Sequence, residues 1–171
     1  EKKPLYHFFP GSKTFSIATN GCNLRCLNCQ NSSISQKSPD IIKNNKFLPE
    51  NIVKLVLENN CNSISYTYTD PVVYYEYTSE TAKIAKTKNI KNIIVSAGYI
   101  NEKPLLELVP FIDAANIDLK VFDNVIYKKL TGASLPEVLN TLKILLENNI
   151  WLEITNLIIP EWTDDLKIIE K

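Results

Sequence analysis

The chain contains no methionine, a single arginine (Arg25), a single histidine (His7) and only four glycines. It also lacks an excess of either charge: 19 basic side chains balance 19 acidic ones. That balance, with no basic run to offset it, excludes the electrostatic footprint of a nucleic-acid binder. No apolar stretch is long enough to span a bilayer, and Lys2-Lys3 is not followed by the apolar core of a signal peptide. Neither nucleic acid nor membrane is therefore an expected partner. Low-complexity tracts and internal repeats are absent as well. The missing methionine, with Glu1 at the start, predicts a segment of a longer protein.

What is present starts with length. A chain of 171 residues fits one domain, 1–171, large enough to bury a substantial core. Four cysteines in such a chain do not read as a disulfide scaffold. Three of them fall within eight residues, in Gly21–Asn31 ("GCNLRCLNCQN"), and only Cys61 is left to pair with. Metal or cluster binding in a reducing compartment, the cytoplasm, is the better reading.

Strand-like and helix-like runs alternate. Thr14–Asn20, Ser63–Thr69, Asn92–Gly98, Ala114–Val121 and Trp151–Ile159 read as strands. Asn51–Glu58, a run from Val73 to Lys88, and Glu102–Val109 read as helices between them. Ser134 with Glu137 forms a capping-box signature ahead of Val138, Leu139, Leu142, Leu145 and Leu146. A last helix is expected to start at Thr163-Asp164-Asp165. This order predicts an α/β fold with a parallel sheet, a partial (β/α) barrel truncated after about five βα units. The apolar fifth strand is expected to be covered on both faces. In barrels of this kind the chemistry sits at the C-terminal ends of the strands. The cysteine loop, "YTYTDP", "SAGY" and "DLK" all fall on that rim.

The spacing of Cys22, Cys26 and Cys29 supplies three thiolates and no evident fourth. Structural zinc wants four ligands in a closed tetrahedron, which Cys61 or His7 would have to complete. A [4Fe–4S] cluster normally takes four thiolates, so three leave one iron with an open coordination position. On spacing alone both readings stand, as does a non-catalytic module in which zinc or a cluster only staples the fold.

The Cys-x3-Cys-x2-Cys loop after a first barrel strand resembles the radical S-adenosylmethionine (radical SAM) superfamily. "YHFFPGS" (Tyr6–Ser12), "SISYTYTDP" (Ser63–Pro71), "NIDLK" (Asn116–Lys120) and "NLIIP" (Asn156–Pro160) further resemble the radical proteins of the AmmeMemoRadiSam system, relatives of the pyruvate formate-lyase activating enzymes. The resemblance implies a partial barrel of the radical SAM type and an oxidoreductase of the activating-enzyme kind. It implies a [4Fe–4S] cluster held by Cys22, Cys26 and Cys29, with S-adenosyl-L-methionine on the open iron. Reductive cleavage to a 5′-deoxyadenosyl radical would then lead to hydrogen abstraction from a substrate, and a protein receiving a glycyl radical is one candidate. An electron donor such as a flavodoxin or ferredoxin is the implied partner.

The resemblance also implies cofactor contacts. Asn28 replaces the aromatic residue common before the third cysteine, leaving backbone groups from Asn28 to Gln30 for the adenine. Thr69 and Asp70 stand where many members have Gly-Glu, beside the methionine amino group. Asp118, Leu119 and Lys120 match the activating-enzyme "DLK" near the ribose and carboxylate. Plainer roles compete with these: Asp118 as a turn cap, Tyr66 and Tyr68 as core aromatics, His7 as a packed histidine and Arg25 as a loop brace.

Overall fold

Five short runs rich in β-branched and small residues lie side by side as parallel strands in a computed structural model that describes residues 4–38 and 47–170. They are β1 (Thr14–Ile17), β2 (Ser63–Tyr66), β3 (Lys91–Ser96), β4 (Ala114–Asp118) and β5 (Trp151–Thr155), in sheet order β1-β2-β3-β4-β5. Each strand pairs with its sequence neighbour, as right-handed βα crossovers dictate. The sheet is not closed, so β1 and β5 are its two edges. The partial barrel is as the sequence predicts.

Helices α2 (Pro49–Glu58), α3 (Tyr75–Thr87), α4 (Glu102–Leu108) and α6 (Leu135–Glu147) cover one face. A four-residue turn, α1 (Ser32–Ser35), follows the cysteine loop, and α5 (Asn124–Thr131) and α7 (Leu166–Ile169) complete the order. Val56, Ile64, Tyr66, Ala85, Ile117 and Leu145 are fully buried between sheet and helices. Truncating one of these aliphatics, Ile117→Ala for instance, would cost roughly 2–5 kcal/mol. Gly98 shows how close the packing is: its φ is +70°, and a Cβ there would sit 2.9 Å from Ile117 Cγ2.

The other face of the sheet encloses a lumen lined by Thr14, Ser65, Thr67, Ile93, Ala114 and Asn116. Residues Pro4–Phe9 plug its lower end. Leu5 packs with Ile93 and Ala114, while Asn116 Nδ2 donates to the Pro4 carbonyl at 2.9 Å. The Glu153 carboxylate accepts from the backbone N–H groups of Tyr6 (2.7 Å) and His7 (2.9 Å). Burial alone would raise the Glu153 pKa, but these donors, with Trp151 Nε1 and His7, outweigh it and lower the pKa.

Several expectations need correction. All five strands stop two to four residues before the expected ends. Tyr68, for example, has φ +27° and leaves the ladder. The fifth strand ends at Thr155, and Trp151, Ile154, Leu157 and Ile158 are about half exposed rather than covered on both faces. Ser134 is the N-cap residue of α6, yet its side chain makes no capping bond; Asn124 Oδ1 accepts from the Leu135 N–H instead, at 3.0 Å. Pro71–Tyr74 forms a 3₁₀ turn before α3. Helix α5 was not anticipated. Asp123 Oδ1 caps it by accepting from Val125 and Ile126 N–H, and Gly132 ends it at φ +77°.

Candidate active site

The parallel order carries the loops after β1 to β4 to one rim, and the cysteine loop is tied into that rim on several sides. Gly21, at φ +94°, donates its N–H to the Ile34 carbonyl. Leu24 is buried in the core, and Gln36 Nε2 donates to its carbonyl at 2.8 Å. Asn23 Nδ2 reaches the Tyr99 carbonyl beyond β3 at 2.7 Å. The strongest hold comes from α5: the Thr131 and Leu130 carbonyls accept the N–H groups of Arg25 (2.8 Å) and Leu27 (2.9 Å). Free carbonyls at a helix end are obliged to find donors, and here the loop supplies them. Arg25 is exposed, so the brace is its backbone N–H.

Cys22, Cys26 and Cys29 are half-buried and line one cleft of about 300 Å³. Cys22 Sγ accepts from the Leu24 N–H at 3.4 Å, and Cys29 Sγ donates to Ser35 Oγ at 3.4 Å. Burial pushes the Cys22 thiol up to about 11, helped by Asp70 and the other two cysteines. Burial raises Cys26 too, against the pull of Lys120. These thiols hold their protons at neutral pH, and metal ligation has to displace them. Among the described residues no three Cys, His, Asp or Glu side chains converge on one point where a single ion would sit. Three thiols spread around a cleft suit a cluster that takes one thiolate per iron better than one tetrahedral ion. His7 lies in the lower plug, and Cys61 precedes β2 at the other end of the sheet, so neither completes a four-ligand set.

The structure brings Asn28, Gln30, Thr69, Asp70, Asp118 and Lys120 to the walls of the same cleft. Thr69 Oγ1 donates to the Thr19 carbonyl at 3.1 Å. Asp70 is almost fully buried, and its carboxylate accepts from Val72 N–H, Ala97 N–H and Ser96 Oγ. Burial raises its pKa despite these donors. Asp70 therefore braces the ends of β2 and β3 with oxygens already engaged. Lys120 Nζ and Asp118 Oδ2 pair at 2.7 Å on the rim, both side chains about a quarter exposed. Leu119 is not brought to the cleft: it packs on the core, and its carbonyl accepts from Asn156 Nδ2.

Sequence reasoning missed Thr67, Ser96 and Thr155 on the cleft wall. Thr67 Oγ1 is buried there without a hydrogen-bond partner. The inward-facing alternation of β2 and β5 was the signal for Thr67 and Thr155, whereas Ser96 is out of phase with the inward-facing Ile93 and reaches the cleft from the end of β3, with no such signal. Tyr66 is a core aromatic, its hydroxyl donating to Asn92 Oδ1 at 3.0 Å. No helix among the described residues is long and apolar enough to cross a membrane.

Comparison with known proteins gives this rim its context. An uncharacterized protein of Methanocaldococcus jannaschii is 46% identical over 97% of this chain and 49% of its own length. The chain thus spans about half of that relative. The pyruvate formate-lyase 1-activating enzyme of Escherichia coli K12 is 23% identical over 91% of this chain and 65% of its own. Streptococcus suis SuiB, in a crystal structure bound to S-adenosylmethionine, shares the fold: TM-score 0.63 and 18% identity over 84% of this chain and 32% of that one. The family model of the radical SAM superfamily matches residues 16–170, and the chain belongs to that superfamily.

Proposed function

We propose that this chain is the cluster- and cofactor-binding core of a radical S-adenosylmethionine enzyme of the activating-enzyme kind. The observation that carries the reading is the single cleft shared by three half-buried thiols and the polar ends of β2, β3 and β4. Cys22, Cys26 and Cys29 would hold a [4Fe–4S] cluster, and nothing in the cleft offers a fourth thiolate. When bound, that cluster would supply one electron for the reductive cleavage of S-adenosylmethionine and so the means of hydrogen abstraction from a substrate.

This chain's own side chains orient and shield. The Asp118–Lys120 pair presents both signs of charge at the rim, where it can exchange its internal contact for the polar groups of the cofactor. Asp70, with its oxygens engaged, keeps the β2 and β3 ends in place, which fixes the backbone from Tyr68 to Asp70 as a polar wall. Asn28 to Gln30 line the same cleft, and their backbone groups would serve the adenine.

Relatives named as activating enzymes support a protein substrate, and the one-electron demand of the chemistry calls for a reductant, for which a small electron-transfer protein would serve. The test is anaerobic purification of the full-length protein with iron and sulfide determination, then incubation with reductant and S-adenosylmethionine. Iron, sulfide and 5′-deoxyadenosine are expected. Stoichiometric zinc without sulfide would replace this reading with a structural metal module.

A further inference from the structure

The cysteine loop has two sides. Leu24 is buried and Cys22, Cys26 and Asn28 are half-buried, whereas Asn23, Arg25 and Leu27 between them are exposed. The inner side belongs to the cleft. The outer side lies directly behind Cys26 and is open to a partner that stays outside the cleft.

Helix α5 extends that outer side. Its Thr131 and Leu130 carbonyls hold the N–H groups of Arg25 and Leu27, so the helix end and the loop form one surface. Val125, Lys128, Lys129 and Gly132 are exposed, at the i, i+3, i+4 and i+7 spacing of a single helix face. The charge here is of one sign. Residues 21–38 and 124–132 carry Arg25, Lys37, Lys128 and Lys129 and no acidic residue, in a chain of 19 basic and 19 acidic side chains. The acids that bracket α5 are Asp123, whose Oδ1 caps the helix start, and Glu137, in the first turn of α6. Apolar side chains sit among the cations: Leu27 is 69% exposed and Val125 64%.

We infer that this face, Arg25 and Leu27 with the exposed stripe of α5, docks a small acidic one-electron carrier protein that reduces the cluster. This rests on the cluster reading above. One electron leaves the carrier and enters the cluster, with no bond made or broken. On that reading the cofactor takes the cleft side, which leaves the outer side of the loop as the short approach. Cations steer and orient an acidic partner, and exposed apolar side chains supply the contact that holds it. The plainer account is a solvated helix end, with two lysines where the helix dipole favours them. That explains Lys128 and Lys129, but neither the acid-free loop nor the exposed Leu27 beside them.

The test uses the full-length protein with its cluster assembled and an acidic flavodoxin as probe. Calorimetry with oxidised flavodoxin reads affinity without electron transfer, and cluster absorbance reads the rate of reduction by its hydroquinone. Lys128→Glu/Lys129→Glu should lower both about tenfold or more at low ionic strength. Lys128→Gln/Lys129→Gln should lose less, and added salt should bring wild type down toward the variants. Reduction by photoreduced deazariboflavin, a small uncharged donor, should be the same in all three proteins. Lys54→Glu/Lys88→Glu makes the same change in net charge on α2 and just after α3, and should keep wild-type affinity. The inference is overturned by a wild type that does not bind the flavodoxin, by undiminished affinity in Lys128→Glu/Lys129→Glu, or by an equal loss in Lys54→Glu/Lys88→Glu. Each of these leaves the cluster reading intact. Wild-type protein without iron and sulfide removes both readings, and metal analysis reports that separately.

Discussion

The two ends of the strand lumen are built from similar residues and treated differently. At the lower end the polar groups are matched. Thr14 Oγ1 bonds Ser65 Oγ (2.7 Å) and the Ser63 carbonyl. Asp113 takes Lys91 Nζ and the Asn92 N–H, and Glu153 takes two N–H groups of the plug. At the rim, Thr67 Oγ1 and Tyr127 Oη are buried without partners, and three thiols share a cleft with an exchangeable ion pair. Folding alone favours the matched arrangement. Thr78 Oγ1, on α3, is also buried without a partner, but among these three hydroxyls only that of Thr67 lines the cleft, where a guest could use it.

The sharpest break of this contrast uses the cysteines themselves. Replacing Cys22, Cys26 or Cys29 by Ala should abolish iron binding, measured by metal content and visible absorbance of the reconstituted protein. Cys61→Ala, at the other end of the sheet, should leave both unchanged. Equal loss from Cys61→Ala would end the argument for three ligands. Next in size is Asp70→Ala, which strands three donors in the interior and should destabilise the chain by about 2–4 kcal/mol in denaturant unfolding. Asp70→Asn keeps one acceptor and should lose less. A neutral Asp70→Ala would show that the β2 and β3 ends are held by something else.

The strand order and the rim were legible because both follow from local pattern. β-Branched runs alternate with helical ones, and parallel connectivity then sends every odd motif to one end. Helix α5 was not legible, although Asp123, Gly132 and the Lys128-Lys129 pair mark its start and stop. Its eight residues offer too little periodicity beside a much stronger helix. That omission hid the main brace of the cysteine loop, a contact between segments about a hundred residues apart. The capping of α6 misled for a related reason: Ser134 has the right neighbours in sequence, but Asn124 reaches the same N–H from another helix. The β5 expectation failed because apolar content says that a surface wants cover, not that the chain in hand supplies it.

A third prediction sharpens the lower end by pH. Glu153 has its pKa lowered by the N–H groups of Tyr6 and His7, so its stabilising contribution is complete above the ordinary glutamate value of about 4.3 and is lost as pH falls through the lower folded value. Acidification through that window should release the Pro4–Phe9 plug before the sheet unfolds. Trp151 reports it, because its ring lies 6.2 Å from that of Phe8 and its Nε1 bonds Glu153. Trp151 emission in Glu153→Gln should already resemble the released state at neutral pH. Identical emission in the variant and wild type at both pH values would show that the plug is held by Leu5 packing alone.

The smallest effect compares one residue type at the two ends. Thr14 and Thr67 both point into the lumen, and valine is close to isosteric with threonine and well suited to a strand. Thr14→Val removes two hydrogen bonds and leaves Ser65 Oγ short of a partner, so it should cost about 1 kcal/mol. Thr67→Val removes a hydroxyl that bonds nothing, so it should be neutral or stabilise by up to about 1 kcal/mol. Thermal unfolding of the two metal-free variants side by side reads the difference in sign. If the rim hydroxyl is held open for a ligand, Thr67→Val should also weaken S-adenosylmethionine binding to the reconstituted protein, while Thr14→Val does not. Losses of equal size and sign in both variants would mean that Thr67 is satisfied like its counterpart below, and that the two ends of the lumen differ less than their hydrogen bonds indicate.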